Sequence, residues 1–241
     1  MIEKFETAIS RTVDCKYSVA VNSGTSALHI ACIALGLKST DYFWTSPITF
    51  VASANCGLYC GAKIDFVDIN PKTGLMCPER LREKLESAYV SGTLPKIVIP
   101  VHLAGTSCDM PKIYELSKQY GFKIIEDASH AIGGSYNNHP IGSCKYSDIT
   151  VFSLHPVKII TSAEGGIAST NTEELSEKMR YLRSHGIIKD SRLFRTSNQA
   201  PWCYEQQDLG YNYRMCDVLA ALGLSQLSKL NIFIKKRTEI I

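Results

Sequence analysis

Apolar and polar positions along the 241-residue chain follow two rhythms that take turns. Short runs rich in Val, Ile, Ala and Phe read as strands, and between them apolar residues recur at helical spacing. The opening MIEKFETAIS reads as an amphipathic helix. Strands are predicted at 16–21, 42–46, 62–69, 96–101, 123–128 and 149–154. Helices are predicted at 27–37, at 48–61 ending on Gly61, at 78–88 with Pro78 at its start, and at 110–121. A further helix is predicted at 172–186 with Thr172 as N-cap, and a last one, with a strong apolar stripe, at 215–234. Residues 187–210 break the rhythm and read as a long loop, of the kind that is usually functional or disordered. The alternation predicts an α/β fold with a mostly parallel central sheet flanked by helices. No internal repeat or low-complexity tract interrupts it.

Length and composition narrow the classes. A chain of this size can bury a sizeable core, as one large domain or two small ones. Hydrophobic residues at 45% and charged residues at 20% are ordinary for a globular protein. A formal charge of +3 speaks against a nucleic-acid surface. The tail Lys235, Lys236, Arg237 reads as a solvated helix face. No stretch reaches the ~18 apolar residues of a membrane span, and the first ten residues lack the apolar core of a signal peptide. The nine cysteines include no CxxC pair. Cys56 and Cys60 can share a helix face, but no second pair or His cluster joins them. The expectation is a cytoplasmic protein with reduced thiols, no metal, no membrane and no nucleic-acid partner.

Ligands of open α/β sheets bind beyond the carboxyl ends of the strands, and three such ends are polar here. After 16–21 come Asn22-Ser23-Gly24-Thr25-Ser26, leading into a helix. Gly24 lets the backbone turn, and the following amides with the Thr25 and Ser26 hydroxyls can form an anion site; taken alone, the same residues read more simply as a plain N-cap. After 123–128 come Asp127 and His130. An acid at a buried strand end is costly without a positive partner, which can be a protonated ring nitrogen, a salt bridge or a helix cap. After 149–154 come Ser153, His155 and Lys158. A buried lysine loses proton affinity and becomes an amine able to attack an aldehyde, whereas a lysine that snorkels to water does not. Together, a phosphate site, an acid for a ring nitrogen and an amine for an aldehyde are the needs of pyridoxal phosphate. Neither GxxxxGK nor GxGxxG occurs. His102 and His155 are left without an assigned role.

The motifs NSGTSALH, TSPITFVASANC, VDINPKTG, VHLAG, IIEDASHAIGG, FSLHPVKIITSAEGG, LRSHGI and GYNYRM, in this order, resemble the DegT/DnrJ/EryC1/StrS sugar aminotransferases. The resemblance runs over nearly the whole chain. It implies the large domain of a fold-type I, aspartate aminotransferase-like enzyme over residues 1–241, with pyridoxal 5′-phosphate as cofactor. Lys158 would form the Schiff base and shuttle the proton, and Asp127 would pair with the pyridine nitrogen. His130 would sit near the ring hydroxyl and Phe50 would stack on the ring. Gly24, Thr25, Ser26 and Ser153 would hold the phosphate, and Asn212 would reach the phosphate bound by a neighbouring subunit, which implies a homodimer with shared sites. The implied reaction moves an amino group from glutamate to a nucleotide-linked, UDP-type 4-keto-6-deoxy sugar. The pattern departs at Thr40, where the family has glycine, and at Tyr42-Phe43; the family's N-terminal segment and small C-terminal domain are expected to be missing. Two other readings stand beside this one: a cofactor-binding remnant or regulatory protein without turnover, and a plain nucleotide-binding domain. A related sugar dehydratase is disfavoured by Lys158, since that enzyme has histidine there.

Overall fold

A computed structural model describes residues 1–196 and 200–240. In chain order the strands are β1 (Tyr17–Val21), β2 (Tyr42–Thr45), β3 (Lys63–Phe66), β4 (Pro95–Ile99), β5 (Lys123–Asp127), β6 (Ser135–Tyr136), β7 (His139–Pro140), β8 (Ile149–Ser153), β9 (Gly166–Thr170), β10 (Ile187–Ile188) and β11 (Glu205–Gln206). The helices are α1 (Ile2–Val13), α2 (Gly24–Ala34), α3 (Ala52–Leu58), α4 (Pro78–Ser91), α5 (Met110–Tyr120), α6 (Glu173–Arg183), α7 (Asp217–Leu227) and α8 (Leu230–Thr238). Seven strands form one sheet in the order β1-β9-β8-β5-β4-β2-β3. All run the same way except β9, which lies antiparallel between β1 and β8. The predicted α/β fold with a mostly parallel sheet is the one observed.

Strand alternation sorts the core into two faces. Val19, Val21, Phe43, Ile97, Ile99, Ile125, Ile149, Val151 and Ala168 face α2, α3 and α6. Their sequence neighbours face the other way: Ala20, Phe152 and Ile167 toward α1, α7 and α8, and Trp44, Val98 and Ile124 toward α4 and α5. Helix α2 is apolar nearly all round because it is covered on both sides, with Ser26 through Cys32 buried.

Several predicted boundaries move. Helix α3 starts at Ala52 rather than 48, which leaves Thr49 and Phe50 in the turn before it. The predicted terminal helix is two helices bent by 55° at a short break. Leu227 and Leu230 both enter the core, and the chain turns between them where the Ser228 hydroxyl donates to the Ser225 carbonyl. No single helix among the described residues is long and apolar enough to cross a membrane, although this bent pair reaches the length and hydropathy together. Strand β9 was not anticipated: Gly166-Ile167-Ala168-Ser169-Thr170 carries little apolar bulk, yet every residue is buried because the strand has neighbours on both edges. The predicted loop 187–210 contains the β10–β11 pairing, and its residues 197–199 lie outside the described residues. Thr172 is the N-cap of α6 but makes no side-chain capping bond. The nine cysteines are unpaired thiols.

One carboxylate ties three elements together. Glu6 of α1 is 3% exposed. Its Oε1 accepts from the Ala20 amide and from Arg183, both at 2.8 Å, and its Oε2 accepts from Arg180 at 2.6 Å. Arg180 and Arg183 also donate to the Ser18 and Ala20 carbonyls, so α1, β1 and α6 share one polar joint. Glu6→Gln keeps the shape and removes the charge between two guanidinium groups. Breaking a buried pair costs roughly 3–5 kcal/mol; the partial exposure of both arginines should hold the loss here to roughly 2–3 kcal/mol. A urea unfolding midpoint that falls with an unchanged slope is the expected result.

Candidate active site

The carboxyl ends of β5 and β8 lie side by side, with Asp127 paired in register to Val151. Asp127 has the same strand parity as Ile125, and Ser153 the same as Val151, so both point to the face covered by α2 and α3. Between these ends, the start of α2, the turn before α3 and the β8–β9 turn lies a cavity of about 390 Å³. It brings together Gly24, Thr25, Phe50, Asp127, His130, Ser153 and Lys158, seven of the residues singled out from sequence. A larger open cleft, about 730 Å³, lies along α1 and β1, but none of these residues reaches it.

The floor nearest α2 is suited to an oxyanion. Ser23 caps the helix, its hydroxyl accepting from the Ser26 amide at 3.0 Å. The first amides, those of Gly24 and Thr25, have no acceptor within the helix. A Cβ on Gly24 would lie 3.0 Å from the Ser153 Cβ, so glycine lets the helix start close on the end of β8 and brings Thr25 and Ser153 to one wall. Ser26 lies elsewhere. Its hydroxyl donates to Asn22 Oδ1 at 2.6 Å, it is buried, and it does not line the cavity.

Asp127 forms the opposite end of the floor. It is 4% exposed. Its Oδ1 accepts from the Ser129 amide (3.1 Å) and hydroxyl (2.6 Å), and its Oδ2 accepts from the Ser53 hydroxyl at 2.6 Å. Of the partners left open by the sequence, the salt bridge does not form: among the described residues no Lys, Arg or His nitrogen lies within 4 Å of this carboxylate. The bonds from Ser129 form a local Asx turn instead.

Lys158 sits on the β8–β9 turn, half-buried, with its amide bonded to the His155 carbonyl at 2.9 Å. Burial lowers its pKa, and the Asp127 charge partly opposes this. His130 is lowered as well, by burial and by the Lys158 charge, with Asp127 acting the other way. Lys158 thus senses Asp127, and His130 senses both, across the cavity. Phe50 stands on the lip, 71% exposed. His155 and Glu164 line the rim. His102 is fully buried; its Nε2 lies 2.8 Å from Glu126 Oε2, and its Nδ1 accepts from the Cys108 amide. Glu126 also accepts from Ser147 and Thr150, so this network braces β4, β5 and β8 from within.

Asn212 does not line the cavity. It is exposed on the segment after β11, its backbone bridged to Ser184 and its carbonyl bonded to Asn22. The flanking Tyr211 and Tyr213 stack on each other, and both rings contact buried His29, whose Nδ1 lies 3.1 Å from the Tyr213 hydroxyl. Burial pushes His29 down to about 4, so it packs here as a neutral ring.

Sequence reasoning missed Thr49, Ser53 and Ser129. The signals were present: Thr49 and Ser53 are four apart at a helix start, and Ser129 follows Asp127 at the spacing of an Asx turn.

The residues fit pyridoxal phosphate: an amide-and-hydroxyl cradle for a phosphate, a buried anion lacking a cation, and an amine of lowered proton affinity. Comparison with known proteins agrees. The profile of the DegT/DnrJ/EryC1/StrS aminotransferase family matches residues 1–241. The chain is 41% identical over 240 residues to a UDP-4-amino-4,6-dideoxy-N-acetyl-beta-L-altrosamine transaminase of Campylobacter jejuni, a match covering 99% of this chain and 59% of that protein. It superimposes on Helicobacter pylori PseC, an aminotransferase involved in the biosynthesis of pseudoaminic acid, with TM-score 0.87 and 32% identity, over 99% of this chain and 60% of that one. It also superimposes on NtdA of Bacillus subtilis with bound cofactor PMP, with TM-score 0.80 and 31% identity, over 96% and 48%. The chain thus spans about three-fifths of the length of the curated relative it matches.

The lowered proton affinity of Lys158 has a direct test. Competitive acetylation across pH should label Lys158 at lower pH than the bulk of exposed lysines. Asp127→Asn removes the charge that favours the ammonium, so labelling should move to lower pH still. Labelling of Lys158 in step with the exposed lysines would contradict the assignment.

Proposed function

The chain belongs to the DegT/DnrJ/EryC1/StrS aminotransferase family, and from that premise we propose that it binds pyridoxal phosphate and transfers an amino group from glutamate to a nucleotide-linked keto-sugar. The observation that carries the reading is Asp127: a buried carboxylate, hydrogen-bonded but without a cation, at the floor of a cavity that also holds Lys158. A lone buried charge is costly, and a protonated ring nitrogen would offset that cost.

Bound there, the cofactor would supply an electron sink for a carbanion. The Gly24 and Thr25 amides with the Thr25 and Ser153 hydroxyls would hold its phosphate. Asp127 would keep the ring nitrogen protonated, Phe50 would cover the ring face from the lip, and His130 would lie near the ring hydroxyl. Lys158 would form the covalent attachment and, once released, would carry a proton to and from the substrate carbon as general base and acid. Its lowered pKa suits both roles, since each needs the neutral amine part of the time.

The named relatives support a UDP-linked 4-keto-6-deoxy N-acetylhexosamine as acceptor, of the kind used on the way to pseudaminic acid. Ile48, Phe50 and Val51 before α3 and Leu58 and Tyr59 at its end are exposed apolar residues. These residues and the exposed Asn212 support a homodimer in which Asn212 reaches the neighbouring site.

Two outcomes test this reading. Borohydride treatment of the protein mixed with pyridoxal phosphate should fix the cofactor to the peptide containing Lys158. Lys158→Ala should abolish that label while retaining weaker cofactor binding, and Lys158→Arg should not restore it, because guanidinium stays protonated. Labelling of another lysine would overturn the assignment. Sedimentation velocity at micromolar concentration with cofactor should give a dimer, and Tyr59→Glu should shift it toward monomer; a monomer in the unmodified protein would remove the shared-site arrangement.

A further inference from the structure

The three hydrogen bonds to Asp127 leave an uneven remainder. A carboxylate has about four lone-pair sites. Oδ1 already accepts two donors, both from Ser129, whereas Oδ2 accepts one, from Ser53. The last acceptor site is therefore on Oδ2, the oxygen that Ser53 holds. Ser53 is fully buried on α3, and its hydroxyl also lies 2.7 Å from the Thr49 hydroxyl. Its single hydrogen goes to Asp127, so Thr49 must donate to Ser53. The result is a directed chain, Thr49 to Ser53 to Asp127, running from the cavity wall to its floor.

We propose that Ser53, polarised by Thr49, is a positioning residue that fixes the Asp127 carboxylate plane and reserves the remaining lone pair of Oδ2 for a cationic N–H donor in the cavity. This rests on the pyridoxal phosphate reading, in which that donor is the ring nitrogen. Donation from Ser53 stabilises the negative charge on Oδ2, the oxygen that would meet the donor, and so would keep the shared proton on nitrogen. Without it Oδ2 becomes more basic and the proton moves toward the carboxylate. A hydroxyl that itself accepts a hydrogen bond donates more strongly than an isolated one, which gives Thr49 its part. The other titratable groups lining the cavity with Asp127 are Lys158, His155 and Glu164 on the β8–β9 turn, His130 after β5 and His102 after β4. Helices α2 and α3 bring no charge to the cavity, and both ring nitrogens of His102 are engaged elsewhere, with Glu126 and the Cys108 amide. Ser53 is thus the only contribution of α3 to the carboxylate among the described residues.

The test reads where the proton is. Pyridoxal phosphate labelled with ¹⁵N in the ring is bound to the full chain, and the ¹⁵N chemical shift separates protonated from unprotonated nitrogen. The unmodified protein should give the protonated position. Ser53→Ala should move the shift toward the unprotonated position, by about tenfold in the ratio of the two forms, the scale of one hydrogen bond to a charged group. It should also weaken cofactor binding. Thr49→Val should move the shift the same way by less, without touching the carboxylate, and Ser53→Thr should restore the original position. A Ser53→Ala protein with unchanged circular dichroism and an unmoved ¹⁵N shift would overturn the proposal, as would a Thr49→Val shift equal to that of the unmodified protein if Ser53→Ala does not fold. Failure of the unmodified protein to take up the labelled cofactor would instead overturn the functional reading, and this proposal with it, before any variant is compared.

Discussion

Where Gly166 begins β9, a Cβ would lie 2.2 Å from the Ser23 carbonyl oxygen and 2.7 Å from the Gly24 nitrogen. No side chain fits there. Only because two backbones pass this closely does the start of α2 sit over the end of β8, with Gly24 against Ser153 on the next strand. The cavity wall of Gly24, Thr25 and Ser153 is therefore a product of strand order. Strand β9, reversed between β1 and β8, carries the chain from the Lys158 turn back past the start of α2. The same reversal makes the Lys158 segment a hairpin connection, so the lysine rests on a turn whose two ends are held in the sheet. At Ala163 that turn adopts a φ of 67°, in the left-handed region that favours glycine.

Electrostatics then act on what the backbone has placed. Asp127 is near enough to raise the proton affinity of Lys158, yet the two form no ion pair. A tight pair would cancel the anion and hold the amine protonated. Serine donors take its place on the carboxylate without adding a cation, and burial lowers the proton affinity of the lysine. The carboxylate and the amine thus both stay available to a ligand.

The alternation of strand and helix made the fold legible, and the strand ends made most of the site legible. Asp127, Ser153, Lys158 and Thr25 follow directly from polar residues at apolar strand ends. What sequence did not reveal depends on contacts far apart in the chain. Strand β9 is buried by its neighbours more than by its own bulk. The turn of Ser26 away from the cavity follows from Asn22 and Ser23 competing for its hydroxyl. The break before α8 needs the core that receives Leu227 and Leu230. Ser53 reads as an ordinary helix residue until β5 is seen to end beside it. Asn212 lies on the surface of a single chain, where no local pattern indicates what it meets.

Glu126 and Asp127 are adjacent carboxylates that the pleat of β5 sends to opposite faces, one into the His102 brace and the other onto the cavity floor. This makes the strand sensitive to length as well as to composition. Deleting one residue between Lys123 and Glu126, with pairing to β4 and β8 kept at the start of the strand, would exchange the two faces for everything that follows. The longer glutamate side chain and the shorter aspartate would each arrive in the wrong compartment, with the charge count unchanged. A point substitution alters one of these environments at a time; a register slip exchanges both.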